Sequence, residues 1–228
     1  MTLDLERENA RLEGATPEQR LAFAAEHFGA DLLFTSSFGA QSNVLLHLWS
    51  VVCPELPVVF IDTGFLFPET LAYRTAIAER LGLRVDVVHP DITRDAFVAA
   101  NGEDIQQRDP DFCCGVNKVA PIAPLEGRAR GWVSGLRRDQ SATRANVQIL
   151  ETEGHLVRVH PIASFTAADV AAYVAQHALL EHPLVARRYL SIGCAPCTRA
   201  VADGEDERAG RWEWSGKTEC GLHKRRTA

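Results

Sequence analysis

Cysteines are the residues of this 228-residue chain whose type and spacing are best suited to chemistry. Four of the six form a vicinal pair, Cys113 and Cys114, and a later C-x-x-C, Cys194 and Cys197. These four can converge as one thiolate centre. Four thiolates are the ligand set of a [4Fe–4S] cluster. Structural zinc sites use two loops of C-x₂₋₄-C spacing, which a vicinal pair fits poorly. A cluster, a zinc ion and a group of reduced buried thiols are therefore the three alternatives.

A fifth cysteine, Cys220, stands apart from that group and close to the carboxyl end of the chain, with Lys217 and His223 as neighbours. Positive neighbours lower the pKa of a thiol, and the thiolate is the form that attacks an electrophile. We therefore consider Cys220 a candidate nucleophile, with an inert thiol as the alternative. Cys53 lies in an apolar run and is expected to be buried.

Charge and composition exclude several classes of partner. The formal net charge is -6, so nothing favours nucleic acid or an anionic membrane surface. No apolar run approaches the ~20 residues of a membrane span, and the polar N-terminus has no signal-peptide core. We expect a cytoplasmic protein, where clustered thiols bind metal or carry out redox chemistry. The sequence does not define the oligomeric state, and a homo-oligomer is compatible with it.

Alternating strand and helix patterns must position these residues. Strands are predicted at 31–35, 57–62, 83–89 and 131–135, helices at 40–52 and 68–81, a hairpin from 147–150 and 156–160, and a helix from a Thr166 cap to about His177. Thr16, Pro17 and Gln19 mark an earlier helix start. This alternation predicts an α/β fold with a mainly parallel sheet flanked by helices. We expect one domain over 1–228, with a helical segment at about 1–30 and a mobile C-terminal segment at about 205–228 that carries the nucleophile.

Ligands of such sheets bind beyond the carboxyl ends of the strands, where two loops carry suitable residues. Small and hydroxyl residues fill the loop from Thr35 to Ser42, and free amides at a helix N-terminus suit an anion. The loop lacks the lysine of a P-loop. Asp62 and Thr63 follow the next strand and could reach a nucleotide sugar or base. Plain tight turns are the alternative in both places.

Basic side chains near these loops could neutralise an anionic substrate. Lys118 lies about one helical turn beyond Cys114, so its ammonium could lie near both the thiolate centre and a substrate. Arg137 belongs to a pair of arginines after the fourth predicted strand, and guanidinium groups suit phosphate or sulfate. Arg208 and Arg211 are three residues apart and could face the same way. Solvated or ion-paired side chains are the alternative for each.

Six motifs, in this order along residues 32–223, resemble the sulfonucleotide reductases of assimilatory sulfate reduction. They are S-S-F-G-A from Ser36, D-T-G from Asp62, C-C at Cys113, S-G-L-R-R from Ser134, S-I-G-C-A-P-C-T from Ser191 and E-C-G-L-H from Glu219. The presence of both the vicinal pair and the C-x-x-C resembles the iron–sulfur branch, whose usual substrate is adenosine 5′-phosphosulfate (APS). The branch without those cysteines usually takes the 3′-phosphorylated form (PAPS). Arg188 departs from the pattern, since relatives often have glycine there.

The resemblance implies a Rossmann-like, adenine-nucleotide-hydrolase-like fold and a [4Fe–4S] cluster on the four clustered cysteines. It implies thioredoxin- or glutaredoxin-dependent reduction of APS to sulfite and AMP, with an S-sulfocysteine intermediate on Cys220. The substrate-binding residues it implies, together with the loops above, are Ser36, Ser37, Phe38, Gly39, Asp62, Thr63, Lys118, Arg137, Arg208, Arg211 and His223. Two alternatives are PAPS reduction by the same residues and an ATP-activating thiolation enzyme on the same fold. The second should carry a basic RNA-binding surface, against which the net charge argues.

Overall fold

The computed structural model describes residues 3–223, except for the side chain of His223, and it has the predicted α/β architecture. Its strands are β1 (Leu32–Phe34), β2 (Val58–Ile61), β3 (Val85–Val88), β4 (Gly131–Val133), β5 (Leu150–Glu153) and β6 (Leu156–Val159). Its α-helices are α1 (Leu5–Glu13), α2 (Pro17–Phe28), α3 (Asn43–Val52), α4 (Pro68–Leu81), α5 (Arg94–Asn101), α6 (Ile105–Arg108), α7 (Pro110–Cys114), α8 (Ala120–Glu126) and α9 (Ala167–Gln176). Within this range no helix is long and apolar enough to cross a bilayer.

The strands run mainly parallel. β1, β4 and β6 form parallel neighbours in the order β1–β4–β6, and β5 joins β6 as an antiparallel edge. β2 and β3 form a second parallel pair. Thr35, directly after β1, pairs in parallel with Val59 of β2. The carboxyl ends of β1, β2 and β4 therefore lie side by side, which confirms the predicted sheet and gives three neighbouring loops one common edge.

The three central strands β1, β2 and β4 are buried along their whole length. Successive side chains of a strand point to opposite faces. In β2, Phe60 accordingly packs in a large core under α2 and α3, whereas Val59 and Ile61 pack in a second core beside α8. Strands covered on both faces read as continuous apolar runs. This explains why the sequence pattern identified them without ambiguity.

The strongest local signals of the sequence lie at helix starts, and the structure confirms them. The Thr16 hydroxyl accepts a hydrogen bond from the Gln19 backbone N–H at 3.3 Å, and the Gln19 side chain accepts one from the Thr16 N–H at 2.9 Å. Pro17 follows at the first helical position. This reciprocal cap satisfies two N–H groups that the first turn would leave unpaired. Pro68 likewise begins α4, whose predicted range is confirmed at both ends.

Two predicted elements begin later than expected. The helix predicted from residue 40 begins at Asn43, because Ser42 closes a turn by donating its hydroxyl to the Gly39 carbonyl at 2.7 Å. The strand predicted at 147–150 is instead β5. The Val147 N–H is bonded to the Arg144 carbonyl within a preceding turn and is not available to a neighbouring strand. Both differences come from local hydrogen bonds that hydrophobic periodicity does not reveal.

The stretch between β3 and β4 had no predicted element, and it contains four short helices. Between α7 and α8 the chain forms a π-helical turn, Gly115–Val119. Such turns replace i→i+4 with i→i+5 hydrogen bonds and are frequent at functional sites. Lys118 lies in this turn, so its direction relative to Cys114 differs from that of an α-helical extension. After α9 the chain is loop-rich, as predicted, with short 3₁₀ turns up to Gly221–His223.

Candidate active site

A cavity of about 220 Å³ lies beyond the carboxyl ends of the central strands. Phe34 of β1, Ile61 of β2 and Ser134 after β4 all contribute to its wall. The Ser36 N–H donates to the Val59 carbonyl at 3.0 Å, which fixes the first loop against the second strand. The cavity thus occupies the edge where ligands of parallel sheets bind.

The loop after β1 forms one side of this cavity. Ser36, Ser37 and Gly39 line it, whereas Phe38 turns away, fully buried against Phe60 at 5.5 Å between ring centroids. Phe38 has a φ of 48°, a conformation that non-glycine residues rarely adopt. The buried ring therefore holds the loop in a shape that leaves its small and hydroxyl residues facing the cavity. Such a surface, next to the N-terminus of α3, suits an anionic group.

Four cationic side chains line the same cavity: Lys118, Arg144, Arg208 and Arg211. The described lining contains no carboxylate. This concentration of positive charge stands out in a chain whose formal net charge is -6. Clefts lined by one sign of charge raise the local concentration of ligands of the opposite sign. The cavity is therefore built for an anion.

The four cations differ in whether they already form an ion pair with a carboxylate of the protein. Arg144 forms a two-point ion pair with Glu219, at 2.8 and 2.6 Å, and Arg208 approaches the same carboxylate at 3.5 Å. Burial lowers the pKa of Arg208 to about 10. Lys118 and Arg211 have no carboxylate within ion-pair distance among residues 3–223. These two cations are the ones left to meet a ligand.

Cys220 is a half-buried thiol on the wall of this cavity. Burial raises its pKa, but the Lys118 ammonium, the Leu222 backbone N–H and the charges of Arg211 and Lys217 outweigh burial, so that the net pKa is lowered. Conversely, a Cys220 thiolate is the main cause that raises the pKa of Lys118. The surroundings therefore favour the thiolate form, which is the nucleophile.

The segment that carries Cys220 is held over the cavity by polar and apolar contacts. Lys217 pairs with Asp111 at 2.8 Å and donates to the Pro110 carbonyl at 3.1 Å. The Arg144–Glu219 pair holds the next turn, and Leu222 packs on the second hydrophobic core. In this conformation the C-terminal segment closes one side of the site.

A second, smaller cavity of about 20 Å³ is lined by all four clustered cysteines: Cys113, Cys114, Cys194 and Cys197. All are free thiols. Burial, reinforced by the neighbouring thiols, raises the pKa of Cys113 to about 11 and that of Cys197 to about 12. The pKa of Cys114 is also raised, by burial first. A bound metal centre would supply the positive charge that favours the thiolate form of such thiols.

Polar groups surround these sulfurs. The Thr63 hydroxyl lies 3.3 Å from the Cys194 sulfur, and the Asn117 amide lies 3.7 Å from the Cys113 sulfur. Lys118 lines this cavity as well as the larger one. Within residues 3–223, no three or more His, Cys, Asp or Glu side chains have the arrangement of a single-ion site. The shared cavity nevertheless brings together the four thiols that the sequence grouped.

The residues predicted from sequence to bind substrate do not all reach the large cavity. Arg137 is 1% exposed and is not part of the cavity lining; it donates to Asp139 at 2.9 Å and to Gln41 at 2.5 Å. Asp62 accepts a hydrogen bond from the Gly64 N–H, and Thr63 lies beside the cysteines. The side chain of His223 lies outside the described residues. The structure thus places Ser36, Ser37, Gly39, Lys118, Arg208, Arg211 and Cys220 together at the cavity.

Sequence reasoning missed Arg144, which lines the cavity and binds Glu219. It lies in a short 3₁₀ turn, Ala142–Arg144, six residues after the arginine pair. No periodic pattern marks that turn. The one available signal was the cluster of three arginines within 137–144, of which the structure directs only the last into the cavity.

Comparison with known proteins identifies the family. A family model described as the phosphoadenosine phosphosulfate reductase domain matches residues 31–200. The chain belongs to this family. The match spans the first loop, the vicinal cysteines and the C-x-x-C, so the resemblance carried by the six motifs is confirmed.

Individual relatives of this reductase family agree with that result. An adenosine 5′-phosphosulfate reductase from Streptomyces coelicolor is 44% identical over 221 residues, covering 96% of this chain and 92% of its own. A phosphoadenosine 5′-phosphosulfate reductase from Gloeobacter violaceus is 39% identical and covers 92% of this chain and 90% of its own. The crystal structure of PAPS reductase from Candida auris superposes with a TM-score of 0.75 at 23% identity, over 88% of this chain and 99% of that one. This last likeness confirms the fold.

Proposed function

We propose that this chain reduces adenosine 5′-phosphosulfate to sulfite and AMP in assimilatory sulfate reduction, with Cys220 as the nucleophile. The observation that carries the proposal is a thiol with a lowered pKa on the wall of a cavity lined by four cations and, within the described residues, no carboxylate. A thiolate is repelled by an anionic phosphosulfate unless positive charge lies between them. The name of the 44%-identical relative supports the same substrate.

The cavity offers a separate environment to each part of this substrate. The Ser36–Gly39 loop and the N-terminus of α3 would bind the anionic 5′ end of the nucleotide. Lys118 and Arg211, which have no carboxylate partner in the described range, would face the sulfo group beside Cys220. This orientation would point the sulfur atom of the substrate at the thiolate and the leaving oxygen at the loop and the N-terminus of α3.

In the first step the Cys220 thiolate attacks the sulfur atom, in line with the oxygen that bridges sulfur and phosphorus. A sulfur–sulfur bond forms, the sulfur–oxygen bond breaks, and its electron pair leaves with AMP. The product on the enzyme is S-sulfocysteine. Lys118 and Arg211 stabilise the negative charge that is redistributed during this transfer.

In the second step a thioredoxin- or glutaredoxin-like dithiol supplies two electrons. One of its thiolates attacks the Cys220 sulfur, sulfite leaves with the electron pair of the sulfur–sulfur bond, and a mixed disulfide remains. The second thiol of the reductant resolves that disulfide and restores the Cys220 thiol. Because Cys220 is half buried and faces the cavity, the segment from residue 205 would have to move outward to admit a protein reductant.

We further propose that Cys113, Cys114, Cys194 and Cys197 hold a [4Fe–4S] cluster. The four free thiols line one cavity, and burial, reinforced by neighbouring thiols, raises the pKa of Cys113 and Cys197, so positive charge from a metal centre would favour their thiolate forms. Hydroxyl and amide donors lie next to two of the sulfurs, as the sulfurs of such centres require. When bound, the cluster would supply a fixed charge and a fixed backbone geometry beside Lys118.

Mass spectrometry of the intact protein tests the proposed first step. Mixing the protein with APS and no reductant should add ~80 Da, the mass of a sulfo group, and thioredoxin should then remove it. Cys220→Ser should abolish the adduct, while Cys53→Ser, at a buried thiol with a pKa raised to about 11, should not. An adduct that persists in Cys220→Ser would disprove the assignment.

The choice between APS and PAPS and the metal content need separate measurements. We expect kcat/KM to be higher for APS; the opposite order would assign the chain to PAPS reduction. Anaerobic purification should yield iron and sulfide in equal amounts, with a visible absorption near ~400 nm that zinc would not give. Because the proposed electron donor is a reduced dithiol, we expect the protein in the cytoplasm.

A further inference from the structure

Trp212 is a fully buried residue beside the cavity that the chemistry above does not use. It is 2% exposed and contributes to the cavity wall. Its φ of 49° lies in the left-handed region, which a bulky residue adopts only when its surroundings enforce it. The fold thus maintains an unfavourable backbone conformation in order to keep this ring in place.

The ring of Trp212 contacts two of the cations near Cys220. The Arg211 guanidinium lies 4.2 Å from the ring centroid and the Lys217 ammonium 5.3 Å from it. A cation over an indole face is attracted by the ring quadrupole, and the attraction is strongest when both groups are shielded from water. Both cations contribute to the lowered pKa of Cys220.

Comparison with two other buried tryptophans indicates that the fold uses the ring face of Trp212 and not its N–H. Trp49 donates its indole N–H to the Leu56 carbonyl at 2.9 Å, and Trp132 donates to the Thr35 hydroxyl at 3.0 Å. The indole N–H of Trp212 is buried without a hydrogen-bond partner among the described residues. Leaving a buried donor unpaired is costly. A tryptophan kept there despite this cost indicates that the contact of its face with the cations matters.

Arg211 is enclosed on its other side by the C-x-x-C loop. Its Nε donates to the Cys197 carbonyl at 3.3 Å, and a Cβ at Gly193 would come 2.3 Å from its Nη2. The absence of a side chain at Gly193 therefore leaves the space that the guanidinium fills, with the Trp212 ring as the second support. Few alternative positions remain for this charge.

We propose that Trp212 is a positioning residue that holds Arg211 and Lys217 beside Cys220, where the sulfo group of the substrate is bound. This inference rests on the proposed function for the identity of that group. Its effect should be confined to ligands that carry a second anionic group beyond the 5′-phosphate. ADP is such a ligand, because its terminal phosphate is attached to the 5′-phosphate as the sulfo group is in APS and is expected to bind in the same place, whereas AMP has no second group.

The test compares the affinities of AMP and ADP by calorimetry in the metal-loaded protein. Trp212→Leu should weaken ADP binding by about 10-fold and AMP binding by less than about 2-fold, because the cations beside the sulfo position lose their contact with the ring. Trp212→Phe keeps an aromatic face and should recover most of the ADP affinity. Trp214→Leu is the matched control, because Trp214 is two residues away and 40% exposed, and it should change neither affinity.

If Trp212→Leu weakens AMP and ADP binding equally, Trp212 has a general structural role and the inference is overturned. An unchanged ADP affinity would also overturn the inference. The same holds if Trp212→Phe behaves like Trp212→Leu. This binding measurement needs no turnover, so its failure is distinct from failure of the proposed function. That function fails if the wild-type protein releases no sulfite from APS or PAPS, whatever the nucleotide affinities are.

Discussion

Replacing Gly193 by alanine should displace Arg211 while leaving every charged side chain of the site chemically unchanged. Gly193 precedes the C-x-x-C and lies against the guanidinium. An added Cβ would come 2.3 Å from Nη2, 2.7 Å from Cζ and 3.0 Å from Nη1 of Arg211. Ordinary contact begins at 3.4 Å, so the guanidinium must retreat by about 1 Å. The far end of a flexible side chain can do this without unfolding the loop.

A displacement of this size removes a charge-assisted hydrogen bond to the ligand, since such bonds weaken steeply beyond ~3.2 Å. A hydrogen bond to a charged group is worth about 1.5–3 kcal/mol. We therefore expect Gly193→Ala to lower kcat/KM for APS on the order of 10- to 100-fold. Gly216→Ala, in the C-terminal segment, should have no effect, because its Cβ would meet nothing within 4 Å.

Steady-state sulfite release from the single and double variants forms a double-mutant cycle. Once Arg211→Ala has shortened the side chain, the clash at residue 193 no longer exists. Gly193→Ala should therefore cost less than about 2-fold in that background. Iron content should be measured for each variant, because Cys194 is the adjacent residue. If the fold-losses in kcat/KM of the two single variants multiply in the double variant, with iron content unchanged, the reasoning is refuted. The added methyl group would then act through the loop and not through Arg211.

Three further predictions concern other parts of the molecule. The pKa of Cys220 is lowered, so the rate of its alkylation by iodoacetamide should decline as pH falls through that pKa. Lys118→Met should move this pH–rate profile to higher pH, and an unmoved profile would contradict the role assigned to the ammonium. Burial lowers the pKa of His182 to about 4, so between pH 7 and 5 the wild type should lose about 2 kcal/mol more unfolding free energy than His182→Gln does, as measured by urea titration at each pH. Glu219→Gln removes the charge paired with Arg144 and should speed amide exchange around Cys220 by about 10-fold, with the exchange of β4 as the unchanged reference.

The elements that sequence predicted correctly are those whose signals are local or strictly periodic. Thr16, Pro17 and Gln19 fix the start of α2 through contacts within one turn. The central strands are apolar throughout because both faces are covered. The short helices between β3 and β4 were missed because each is too brief for periodicity to appear. The π turn at Gly115–Val119 depends on packing with distant segments, which no local pattern encodes.

Site residues could be predicted where the residue type, such as a clustered cysteine, is rarely found without a chemical role. They could not be predicted where the direction of the side chain determines whether it reaches the cavity. The four clustered cysteines, Cys220 and Lys118 line two adjoining cavities, as their spacing suggested. Arg137 and Arg144 carry the same group, yet only Arg144 faces the cavity. Arg137 is turned inward by Asp139 and Gln41, a set of partners defined only in three dimensions.

Lys118 stands on the wall between the two cavities and contributes to both linings. Because one positive charge is shared by both sites, we expect binding at one site to change the electrostatic field at the other. Binding free energies at coupled sites are reciprocal. A nucleotide bound on one side must therefore change the affinity of the four thiols for a metal centre by the same factor by which that centre changes the affinity for the nucleotide. Chelator resistance measured with and without nucleotide would thus report the strength of this coupling without any catalytic turnover.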